Sequence, residues 1–109
     1  MTVTELNKYG ELAVKYWELK ALCENKEADN EILQQIKNVD YRLSKINSFI
    51  SGCPDPFIKE MMIYKFTQML SWESVANKIG GYNSAGSCRM LVNRYIERYN
   101  RGKILLPYS

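Results

Sequence analysis

Apolar residues recur along the first half of the chain at helical spacing. Tyr9, Leu12, Tyr16, Leu19 and Cys23 step by 3, 4, 3 and 4 residues. Ile32, Ile36, Val39, Leu43, Ile46 and Ile50 step by 4, 3, 4, 3 and 4. A 3-4 alternation places an apolar seam on one side of each of two helices. Between them, "ENKEADN" at 24–30 carries no seam and ends in Asp29 and Asn30, both good N-caps. The pattern predicts an antiparallel helical hairpin over 1–52, serving packing or oligomerisation. The seams can be satisfied within one chain or across a homodimer.

"SGCPDPF" interrupts the periodicity. Gly52 can close the second helix, and Pro54 and Pro56 disfavour helix just before them. Asp55 followed by Pro56 reads as an N-cap with proline in the first turn. A third helix is expected over 56–69, burying Ile58, Met62, Phe66 and Met69. Ser71 can cap a fourth helix with Trp72, Val75, Ala76 and Ile79 on one face, ended by Gly80 and Gly81. Ser84 can cap a fifth, whose apolar positions are Cys88, Leu91, Val92, Tyr95, Ile96 and Tyr99. At ~100° per residue these cluster on one side. Gly86, Ser87, Met90, Asn93, Arg94 and Arg101 lie broadly opposite, Arg89 and Arg98 lie on the flanks, and Gly102 ends the helix. No strand-like alternation of useful length occurs, so the expected fold is all-α. A tri-helical module over 53–109, with an apolar tail, follows the hairpin, the two forming one compact domain.

Charge sharpens this picture. Residues 1–52 hold 7 basic and 8 acidic side chains, whereas residues 53–109 hold 8 and 4. The net charge of +3 therefore belongs to the second half. From Arg89 to Lys103 there are five basic residues and one acidic residue, Glu97. A short helix, a glycine turn and a longer helix with a basic outer face meet the requirements of a helix-turn-helix. Ala76 suits the close crossing of the two helices, and Gly80 permits a positive φ in the turn.

The stretch "YKFTQMLSWESVANKIGG" resembles the region-4 helix-turn-helix of bacterial sigma factors. It is similar also to small phage and prophage proteins built on that module, such as late-transcription regulators of the RinA or ArpU type. The resemblance covers roughly residues 54–99. It departs from the pattern in the turn. Aligned on Val75, Ala76, Ile79 and Gly80, a standard module would place Gly86 and Arg89 in the core. Two extra residues, Gly81 and Tyr82, bring Cys88 and Leu91 there instead.

The resemblance implies a sequence-specific protein of double-stranded DNA, a phage-type transcription regulator. Ser84, Ser87, Arg89, Asn93 and Arg94 are the candidates for base contact. Arg98, Arg101 and Lys103 are candidates for phosphate, which adds affinity without sequence information. The rival reading is a module that keeps this fold to bind a host protein, such as a defence factor or RNA polymerase.

Other chemistry is thinly represented. The chain has no histidine, and Asp55, Glu60 and Glu73 form no evident acid–base pair, so no enzyme and no cofactor are expected. Cys23, Cys53 and Cys88 fit neither a disulfide framework nor a CxxC metal site. They read as reduced thiols, two of them small core residues. No apolar run approaches ~20 residues, and "MTVTELNKYG" lacks the marks of a signal peptide. A cytoplasmic protein without membrane contact is expected.

Overall fold

The computed structural model describes residues 1–24 and 29–102. Most of the turn expected at 24–30, together with Lys103 and the apolar tail, lies outside them. The described residues are all-α, with six helices and no strand. They are α1 (Val3–Leu6), α2 (Tyr9–Glu24), α3 (Asn30–Ser51), α4 (Pro56–Met62), α5 (Trp72–Ile79) and α6 (Ala85–Asn100). None of these helices is long and apolar enough to cross a membrane.

Local capping chemistry sets most helix starts. The Asp29 carboxylate accepts from the Ile32 amide at 2.9 Å. Asp55 accepts from Phe57 and Ile58 ahead of α4, with Pro56 in the first turn. Ser71 and Ser84 accept from the amides of Ser74 and Ser87 at 3.2 and 3.1 Å. Each bond satisfies one of the amides that a helix start leaves without a partner. Gly80 and Gly81 take φ of 78° and 68°, a region closed to most side chains. Gly52, by contrast, ends α3 with an ordinary right-handed φ of −80°.

Two elements depart from the sequence pattern. The first is α1, which the apolar spacing does not announce because it is four residues long. Its signal is a capping motif: the Thr2 hydroxyl accepts from the Glu5 amide at 3.0 Å. Leu6 is fully buried. The Glu5 carboxylate does not return to the cap. It takes two hydrogen bonds from the Arg42 guanidinium, at 2.9 and 2.7 Å, and so pins α1 to α3. That bonding holds the Glu5 carboxyl below its ordinary pKa.

The second departure is the helix expected over 56–69. Its α-helical geometry stops at Met62 and continues as a π-helical turn, Ile63–Thr67. The Thr67 hydroxyl donates to the Ile63 carbonyl at 2.6 Å, and the Gln68 amide takes the same carbonyl at 3.1 Å. A hydroxyl competing for a helix carbonyl widens the turn. Met69 then leaves the helix with a φ of 58° and stands 66% exposed, so it is not the core residue the spacing predicts. The Leu70 amide closes this end on the Tyr64 carbonyl at 3.0 Å.

The buried residues form one cluster that crosses both halves of the chain. Leu12 and Leu19 of α2 pack with Val39, Ile46 and Ile50 of α3, while Tyr9, Tyr16, Ile32, Ile36 and Leu43 are half-buried beside them. Met61, Met62, Phe66, Val75, Cys88, Val92 and Ile96 continue the core into the second half. Phe49 joins the two halves. Its ring meets Tyr95 at 5.6 Å and Tyr99 edge-on at 4.7 Å, geometries that favour aromatic pairs. Of the three thiols, Cys53 and Cys88 are buried and Cys23 is half-buried. Burial raises the pKa of both buried thiols and keeps them protonated.

Ala76 is buried on α5, which packs against α6. Ala76→Leu forces a larger side chain into a buried position at this packing and is expected to cost about 1–3 kcal/mol. Urea denaturation measures this, and an unchanged midpoint would remove Ala76 from the helix crossing.

Candidate nucleic-acid interface

The geometry of the expected interface is set by α6. Cys88, Val92, Tyr95 and Ile96 are buried, and Leu91 is half-buried. Tyr99 stays 45% exposed although its ring rests on Phe49. With that side committed to the core, Arg89, Asn93, Arg94 and Arg98 are left exposed along the helix. The turn before α6 is held by the Asn83 amide, which donates to the Gly80 carbonyl at 3.2 Å. Tyr82 projects fully into solvent.

The candidate residues do not form one equivalent set. Ser84 is occupied as the cap of α6, and its hydroxyl also lies 3.1 Å from that of Ser87. Both serines thus do local structural work at the start of the helix. Arg89, Asn93 and Arg94 come together around a shallow hollow on the outer face with Gly86, Met90 and Glu97. Arg98 is exposed in the last turn. Arg101 is already paired with Glu97 one turn back. Such exposed pairs contribute little and are screened by salt. Lys103 lies outside the described residues.

A larger cleft, of about 750 Å³, opens beside this face. On one side it is lined by Arg89, Asn93 and Ile96 of α6, and on the other by Val3 of α1 with the flanking cap residues Thr2 and Asn7. Lys65 and Phe66 of the π turn and Trp72 of α5 also line it. Trp72, expected in the core, is only half-buried and lines the cleft instead. Its indole meets Phe66 edge-on at 6.5 Å, and the Lys65 ammonium sits 5.3 Å from the ring centroid. Asn100, also in the lining, exchanges hydrogen bonds with the Met1 backbone.

Lys65 and the α1 residues escape a reading by periodicity, and their meeting with Trp72 is visible only in three dimensions. The sequence signal that existed was the Thr2–Glu5 capping pair, which marks α1 but not its position beside α6. Among the described residues, no cluster of three or more acidic, histidine or cysteine side chains is placed to hold a metal ion. Comparison with known protein families, curated proteins and solved structures gives no match to this chain.

Proposed function

We propose that this chain is a sequence-specific double-stranded DNA-binding protein, a transcription regulator of phage type. In this reading α2 and α3 are an antiparallel hairpin, and α4 to α6 are a tri-helical helix-turn-helix module with α6 as the reading helix. The observation that carries it is the exposure of Arg89, Asn93, Arg94 and Arg98, spread over the outer face and flanks of a helix whose other side is buried. Arginine and asparagine are the side chains that pair bidentately with guanine and adenine edges in the major groove. The Gly80–Gly81 turn and the buried Ala76 support the helix pairing that such docking requires. The protein would act in the cytoplasm, without cofactor or catalysis, with RNA polymerase as a further partner. A homodimer would present two reading helices to two half-sites.

Titration of the purified protein against duplex DNA at increasing salt tests the reading. Each phosphate neutralised contributes about −0.9 to the slope of log affinity against log salt. A steep negative slope is expected, and the absence of binding at low salt would sink the proposal.

One observation favours a second reading, a module that binds a host protein. Val14 and Trp17 of α2 are 59% and 68% exposed, and Met69 lies beside Gly10 and Val14. Exposed apolar side chains gathered this way are typical of protein contact. This reading takes over if DNA fails to bind.

A further inference from the structure

We propose that the cleft between α1 and α6 is a seat for the sugar-phosphate strand flanking the groove that α6 enters, with Lys65 and Trp72 as its contact residues. The inference rests on the DNA-binding reading and assigns residues that the helix-turn-helix pattern leaves out. Three features define the ligand class.

The first is charge. Lys65 and Arg89 both line the cleft, against one carboxylate among its lining residues, Glu97. Two cations against one carboxylate leave a net positive charge, which favours an anion. The second is the wall chemistry. The half-buried Trp72 presents an apolar surface next to the Lys65 ammonium, with the buried Phe66 ring edge-on against it. A phosphodiester carries its charge beside an apolar sugar face, and both parts find a counterpart here. Thr2 and Asn7, on the α1 side, add hydrogen-bond donors of the kind that commonly meet phosphate oxygens.

The third feature is continuity. Arg89 and Asn93 line both the cleft and the outer hollow of α6. A duplex lying on the outer face must therefore carry one edge over the cleft. A free phosphate or mononucleotide shares the chemistry but not this continuity, so the strand is the occupant assigned. The Glu5–Arg42 ion pair and the Met1–Asn100 bonds hold the α1 side in place before the strand arrives. That pre-organisation lowers the ordering cost of binding.

The test compares Lys65→Gln with Lys20→Gln in salt titrations of a mixed-sequence duplex. Lys20 is a matched control, since it too lies over an aromatic ring, that of Tyr16, but on α2, away from the cleft. Lys65→Gln is expected to weaken binding several-fold for every sequence and to reduce the salt slope by about 0.9, one phosphate. Lys20→Gln is expected to change neither. In a Trp17→Phe background Trp72 is the only indole, and its emission is expected to change when duplex is added. Duplex binding with an unchanged slope in Lys65→Gln overturns the strand seat and leaves the DNA reading standing. Emission that responds to inorganic phosphate or adenosine monophosphate but not to duplex also overturns it. No binding of duplex by the unsubstituted protein removes the DNA reading, and this inference with it.

Discussion

Met62→Ala lowers the stability of the fold by about 2–5 kcal/mol. Met62 has no exposed surface and sits where α4 gives way to the π turn, inside the core that joins both halves. Truncation removes buried methylene and thioether contacts and leaves a cavity that helices fixed at both ends fill only in part. Domains of this kind hold a total of roughly 5–15 kcal/mol, so the loss is a large fraction. Met69→Ala is the internal comparison. Met69 is 66% exposed, and alanine suffers the same left-handed backbone as methionine, so the strain cancels. Its cost is expected to stay within about 0.5 kcal/mol. Chemical denaturation of the two variants measures both. Equal, small losses would mean that Met62 is not enclosed.

Arg94→Ala is expected to cost roughly 1–3 kcal/mol at one base pair of the preferred site and to relax preference there. The reason is position. Arg94 is exposed near the middle of α6, beside Arg89 and Asn93, and no protein carboxylate is bonded to it among the described residues. A guanidinium so placed is available to the two acceptors of a guanine edge. Arg101 differs because it already holds Glu97. Arg101→Ala is expected to weaken binding to all sequences alike and to reduce the salt slope by about one contact. Site selection with both variants, followed by salt titration, separates the two roles. Equal and sequence-independent losses would mean that α6 only follows the backbone. No loss for either would move the functional surface elsewhere, with the exposed Val14 and Trp17 of α2 next in line.

Dimerisation bears on both experiments, since two reading helices on one axis would double the salt slope of one. The apolar seams that suggested it are largely satisfied inside the chain, with Leu12, Leu19, Val39, Ile46 and Ile50 all buried. The most exposed large apolar side chains among the described residues, Val14, Trp17, Tyr41, Phe57, Met69 and Tyr82, all lie off the seams.

Sequence alone determined what short-range chemistry controls. Asp29, Asp55, Ser71 and Ser84 cap their helices as their residue types and spacing predict, because a cap is decided within three residues. The buried side of α6 and the seams of α2 and α3 follow from helical periodicity, which needs only the local repeat. Tertiary structure decided what depends on depth and on distant partners. Periodicity puts Trp72 on the inner face of α5 but cannot say that the Lys65 and α1 side leaves it half open. It extends the helix to Met69 because spacing is blind to the Thr67 hydroxyl taking the Ile63 carbonyl. It gives no account of Phe49 bridging to Tyr95 and Tyr99, or of Glu5 reaching Arg42. Those contacts join residues 37 or more positions apart, and their cost in chain entropy is met only once the whole core is assembled. The cleft beside α6 is a product of the same long-range closure, which brings α1, the π turn and α5 to one wall of a helix near the other end of the chain.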